Sequence, residues 1–143
     1  RKLGANLAIN TSRIAPVKVV QEVFGNLGAD IVVDATGDAK ALDTCVEMAR
    51  MYGTLVLFGI PEERKVTFDY LGAISKQLTM IGTVSATCED PARPIQEAVD
   101  ILSKGKIDLS WMITHRFAFD EAPAAYDLYA NRNDGLIKLI LDI

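Results

Sequence analysis

The sequence predicts an α/β fold, a parallel sheet covered by helices, and three observations predict it. The strand candidates are continuous apolar runs, not alternating ones, which suits strands buried on both faces. Helical patterns lie between those runs, and such alternation implies parallel strands joined by right-handed crossovers. Several strand candidates also stop in small-residue turns, "DATG", "LFGIP" and "IGTVS". In open parallel sheets ligands bind at the carboxyl ends of the strands, where such turns line a groove.

The elements follow in order. "LAIN", Leu7 to Asn10, reads as the first strand. A helix from Pro16 to Phe24 turns Val20, Val23 and Phe24 inward. "DIVVDA", Asp30 to Ala35, is the second strand. From Asp38 to Arg50, Leu42, Cys45, Val46 and Ala49 recur at helical spacing, which makes Cys45 a core residue. Asp38 is placed to cap that helix, and Gly53 to turn the chain through a left-handed conformation after it. "TLVLFG", Thr54 to Gly59, and "LTMIGTV", Leu78 to Val84, are further strands. A helix starting near Pro91 carries Ile95, Ala98, Val99 and Leu102 on one stripe and stops at Gly105. The tail reads strand, helix, strand. Met112 to Phe117 forms the first, Asp120 caps a helix with Ala122, Ala125, Tyr126 and Tyr129 on one face, and "GLIKLILDI" closes the chain. The style changes between Ser85 and Pro91. That places a boundary after residue 84, with residues 1–84 and 85–143 as separate parts.

Bulk properties narrow the function. The chain has 143 residues, half of them hydrophobic, enough for about one domain with a core. A net charge of −4 without a basic stretch argues against nucleic acid and anionic membranes as partners. No signal peptide and no bilayer-length apolar run is seen, and two isolated thiols suit a reduced, cytoplasmic compartment. The start at Arg1 suggests a fragment or a processed product. Cys45, Cys88 and His115 are the only cysteines and histidine, so a sulfur–nitrogen zinc site would need all three to converge. No metal site is expected in this chain. None of the ten glycines forms G-x-G-x-x-G, and no phosphate loop of the P-loop type is present.

Six motifs in one order carry a resemblance across the whole chain: "LGAN.AIN", "GADIVVDATG", "YGTLVLFGIP", "KQLTMIGTV", "ILSKGKIDLSWMITHRFAFDEAPAAYDLY" and "DGLIKLILDI". Together they resemble the carboxyl-terminal portion of the medium-chain dehydrogenase/reductase family, which contains zinc alcohol and polyol dehydrogenases. The resemblance implies a partial doubly wound, Rossmann-like sheet with a C-terminal strand–helix–strand segment. "LAIN" matches the family's third strand and "DIVVDATG" its fourth. The glycine-rich loop, the residue selecting NAD or NADP, and the catalytic domain with its zinc ligands would then lie upstream of Arg1. No catalytic residue is expected in this chain.

The resemblance also implies site residues. Ala35, Thr36 and Gly37 would lie beside the adenosine half of NAD or NADP. Phe58, with Gly59 and Ile60 in its turn, and Thr83 and Ser85 match positions near the nicotinamide carboxamide, which main-chain groups hold. Lys138 matches a basic residue that approaches the pyrophosphate; a lysine snorkelling from a solvated strand is the alternative. Asp34 is expected to bond the turn amides, His115 to be structural, and Arg116 to pair at a surface. The parent would move hydride between a small alcohol or polyol and the cofactor. A zinc-independent quinone or enoyl reductase of the same superfamily, or a non-catalytic ligand-binding domain, are the rivals. A short strand at Val66 to Phe68 is expected to pair two subunits, giving a homo-oligomer through residues 65–84; the alternative is that another polypeptide in the same particle supplies the missing strands.

Overall fold

The computed structural model describes residues 3–83, 90, 92–131 and 134–143. The chain separates into two compact units, Arg1–Pro91 and Ala92–Ile143.

The first unit holds three parallel strands in the order β1-β2-β3: β1 (Ala29–Asp34), β2 (Ala49–Leu57) and β3 (Thr79–Gly82). Helix α1 (Pro16–Phe24) precedes β1, α2 (Ala39–Met48) joins β1 to β2, and α3 (Tyr70–Ser75) precedes β3. Pro16 opens α1, where its missing N–H costs nothing. The Asp38 carboxylate caps α2 by accepting from the Lys40 amide at 2.7 Å, as its position in the sequence implies.

The strand pairing sorts side chains by face. Val32 lies beside Leu55 and Leu55 beside Met80; Ile31 lies beside Thr54, and Val33 beside Val56, which faces Ile81. The first row packs under α2. Val32, Leu42, Cys45, Val46, Ala49, Leu55 and Ala73 form the core, and Leu55 has no exposed surface. The second row is open: Ile31 is 65% exposed and Val33 54%. The sheet is therefore buried on one face, not on both as its continuous apolar runs imply. A hydrophobic run reports what a strand tolerates, not which covering element is present.

Several other expectations are corrected. Leu7–Asn10 is not a strand; among the described residues it makes no ladder, and Leu7 is exposed. A strand exists only through a partner's hydrogen bonds. Val23 and Phe24 are exposed, because α1 turns Val17, Val19 and Val20 toward α2 instead. Val66 and Phe68 pack on the core; the pairing expected of this segment is with a second subunit. Gly53 is not the left-handed residue; Tyr52 is, with φ +61°. Pairing jumps from Ala29–Ala49 to Ile31–Thr54, so residues 50–53 loop out of β2. Tyr52 then donates its amide to the Lys76 carbonyl at 2.7 Å. Gly53 sits against the carbonyls of Arg50 and Ala29, where a Cβ would not fit.

The second unit contains α4 (Ala92–Ser103), β4 (Ile113–Ala118), α5 (Ala122–Asn131) and β5 (Lys138–Asp142). β4 and β5 run parallel, with α5 as their crossover, the strand–helix–strand tail expected. Asp120 does not cap α5. It lies in a 310 turn, Phe119–Glu121, and Glu121 reaches back to accept from the Ala118 amide at 2.9 Å. Only Ala125 is buried among the described residues of this unit. Tyr126 and Tyr129, like Ile95, Val99 and Leu102 on α4, are exposed.

Candidate functional site

The carboxyl ends of β1 and β2 meet in a pair of turns organised by Asp34. Asp34 as a whole is only 5% exposed. It accepts from the Thr36 amide at 2.9 Å, the Thr36 hydroxyl at 2.7 Å and the Gly37 amide at 3.4 Å. Its main-chain carbonyl crosses to the next strand and accepts from the amides of Phe58 (2.9 Å) and Gly59 (2.7 Å). One residue thus shapes its own turn with its side chain and holds the neighbouring turn with its backbone. A buried carboxylate without such donors would be costly. The expectation that Asp34 bonds the turn amides is met.

The two turns touch backbone to backbone. Gly37 has φ +74°, a conformation glycine adopts without strain, and a Cβ there would strike the Ile60 carbonyl. A Cβ on Gly59 would strike the Gly37 amide and the Thr36 backbone. The Thr36 hydroxyl completes the corner by accepting from the Asp38 amide at 3.1 Å, at the entrance to α2.

Beside these turns lies an open groove of about 570 Å³. Thr36 to Ala39 form one wall and Ile60 to Glu63 another, with Lys65 and Thr67 at the rim. Three acidic residues line it, Asp38, Glu62 and Glu63, against one basic residue, Lys65. Carboxylates only accept hydrogen bonds. The groove therefore suits hydroxyl and amine donors more than phosphate.

The structure distributes the expected site residues unevenly. Thr36, Gly37 and Ile60 line the groove, while Gly59 holds the turns together from below. Ala35 lies between Asp34 and Thr36 in the same turn. Phe58 and Thr83 have already committed their amides, Phe58 to Asp34 and Thr83 to the Leu57 carbonyl at 3.0 Å. Ser85 lies outside the described residues. Lys138 is exposed at the first position of β5, so it is not a cation buried within an apolar strand. It makes no ion pair among the described residues. It borders a second, largely apolar groove of about 440 Å³ with Tyr126 and Tyr129.

Two residues escaped the sequence reading. Lys76 donates from Nζ to the carbonyls of Val46 (2.9 Å), Glu47 (2.7 Å) and Ala49 (2.8 Å), closing the end of α2. Thr114 joins β4 to the start of β5 through its hydroxyl. Neither contact leaves a local signature, because the partners lie more than twenty residues away. Cys45 is a core residue as expected, and burial, then the charge of Asp34, raises its thiol above the ordinary value.

The zinc-binding dehydrogenase family model matches residues 1–104. This chain belongs to that family. Among curated relatives, a putative D-xylulose reductase of Rhizobium meliloti (strain 1021) is 34% identical over 94% of this chain and 37% of its own length. An alcohol dehydrogenase of Cupriavidus necator is 27% identical over 99% of this chain and 38% of its own. The zinc-binding dehydrogenase fold recurs in the solved alcohol dehydrogenase TADH of Thermus sp. ATN1, with a TM-score of 0.82, 24% identity and coverage of 98% and 39% of the two chains. An E. coli CFT073 alcohol dehydrogenase solved with NADH gives a TM-score of 0.76 at 24% identity, covering 98% and 39%. The chain thus spans well under half the length of these relatives. Among its described residues no three His, Cys, Asp or Glu side chains gather to hold a metal. Cys45 is sealed in the core. The described residues therefore do not fit the zinc that the family name implies. No described helix is long and apolar enough to cross a membrane.

Proposed function

We propose that this chain is the cofactor-binding and carboxyl-terminal part of a zinc-dependent alcohol or polyol dehydrogenase, an enzyme moving hydride between an alcohol and NAD or NADP. Residues 1–84 serve as the partial cofactor domain and residues 85–143 as the segment returning to the catalytic domain. The observation that carries this reading is the interlocked pair of turns, Asp34–Gly37 and Phe58–Ile60, with an acceptor-lined groove at the carboxyl ends of parallel strands. Such a groove suits the adenosine half, whose ribose hydroxyls and exocyclic amine donate to carboxylates. The phosphates need a cation instead, and the family resemblance assigns that role to Lys138, which is exposed and makes no ion pair among the described residues. When bound, the cofactor accepts or delivers hydride; this chain's residues bind and orient it. Zinc ligands and proton-transfer groups are assigned to the rest of a longer cytoplasmic protein. That protein pairs with a second copy through residues 65–84, since β3 has a free edge among the described residues.

Fluorescence titration of NADH and NADPH into the full-length protein tests the assignment. Thr36→Trp should fill the groove and weaken binding of both. Lys138→Ala should weaken it about tenfold, the scale of one charge-assisted contact. Unaltered affinity in both variants would discard the reading. The chain by itself should hold no stoichiometric zinc, and one tightly bound zinc per chain in elemental analysis would refute that. A compact 15.6 kDa monomer in sedimentation would remove the pairing through residues 65–84.

A further inference from the structure

The pairing of β4 with β5 breaks where β5 begins. Ile113 pairs with Lys138 and His115 with Leu139, so Thr114 is an extra residue with no partner, a β-bulge. Its hydroxyl repairs the gap. Thr114 Oγ1 accepts from the Ile137 amide at 3.1 Å and lies 3.2 Å from the Lys138 carbonyl, to which it donates. A hydroxyl has one proton. The His115 ring braces the hydroxyl, with Nδ1 2.9 Å from Thr114 Oγ1. The other ring nitrogen of His115 faces the Asp134 carboxylate at 3.5 Å. Asp134 and Gly135 both take left-handed backbone conformations, φ +57° and +67°, in the turn that delivers the chain to Lys138. The Thr114 hydroxyl thus bridges the Ile137 amide and the Lys138 carbonyl, bracketing the backbone of residues 137 and 138, while the Lys138 ammonium makes no ion pair among the described residues.

We infer that Thr114 is a positioning residue: its hydroxyl, braced by His115, fixes the backbone from which Lys138 meets an anionic group of the bound ligand. The inference rests on the cofactor reading of Lys138 given above. Four full-length proteins separate the two: the natural sequence, Thr114→Val, Lys138→Ala and the double variant, each titrated with NADH at several salt concentrations. Thr114→Val should weaken binding about three- to tenfold, the worth of one hydrogen bond. It should also flatten the salt dependence as Lys138→Ala does, since both withdraw the same cation. The double variant should bind no more weakly than Lys138→Ala alone, because residues acting through one contact are not additive. Thr114→Ser keeps the hydroxyl and should restore both affinity and salt dependence. Thr114→Ala gives the same comparison if the valine variant does not accumulate. An effect of Lys138→Ala with none from Thr114→Val overturns the positioning role and leaves the cofactor reading standing. Additive losses, or an unaltered salt dependence in Thr114→Val, overturn it too. No effect from Lys138→Ala ends the positioning role together with the assignment of Lys138 to the cofactor.

Discussion

Two of the three parallel strand pairs, β1–β2 and β4–β5, slip register near their starts, and the two repairs differ in kind. Between β1 and β2, residues 50–53 loop out and the backbone absorbs the break through Tyr52 and the tightly packed Gly53. Between β4 and β5 a single extra residue is patched by its own side chain, the Thr114 hydroxyl. The same contrast holds further along each pair. β1 and β2 end in turns that interlock through glycine and a buried carboxylate, whereas β4 and β5 are tied at their far ends by the Arg116–Asp142 ion pair, each side chain 56% exposed. Structure held by backbone contact leaves no room for a side chain to yield. Structure held by exposed side chains can lose one and let water take its place.

Substitutions can break or sharpen that contrast. The largest effect belongs to Gly59→Ala, whose new methyl meets only backbone atoms. It should cost about 3 kcal/mol or more in urea unfolding, the range of forced overpacking. Gly82→Ala, with nothing within 4 Å of its Cβ, should stay within about 0.5 kcal/mol. Equal costs for the two glycines would dissolve the contrast. Asp34→Ala comes next. It strands the donors of Thr36 and Gly37 and should cost roughly 2–3 kcal/mol. Lys76→Met preserves the aliphatic stem but frees three carbonyls at the end of α2, an expected loss of about 1–2 kcal/mol with reduced far-ultraviolet ellipticity. Arg116→Ala should be the mildest, within about 0.5 kcal/mol, because exposed ion pairs contribute little. A loss from Arg116→Ala as large as that from Asp34→Ala would show the second unit to depend on its surface ties as much as the first does on its interior.

What the sequence disclosed follows the same division. α1 and α2 were legible because proline, an aspartate cap and a 3.6-residue stripe are local signals. The strands β1, β2 and β3 were legible as apolar runs, and their order matches the fourth, fifth and sixth strands of the resembled fold. Leu7–Asn10 has the composition of a strand, but composition does not supply a partner. The left-handed position after α2 was placed on Gly53, because glycine is the usual occupant; Tyr52 takes it, held by a hydrogen bond from β2 to Lys76. In the site, Thr36, Gly37 and Gly59 were readable from the turn "DATG" and its neighbour "LFGIP". The roles of Lys76 and Thr114 were not, since each depends on main-chain atoms distant in sequence.

The open row of Ile31, Val33 and Ile81 has a calorimetric consequence. The heat capacity gained on unfolding measures apolar surface newly exposed to water. Side chains already exposed by about half or more before unfolding add little to it. This chain should therefore show less than the usual 12–15 cal/mol/K or so per residue. Its stability should vary only gently with temperature, and cooling should weaken it less than a domain of equal length with both sheet faces covered. Any element that comes to lie over that row should steepen the curve, in proportion to the area of β-branched side chain it removes from water.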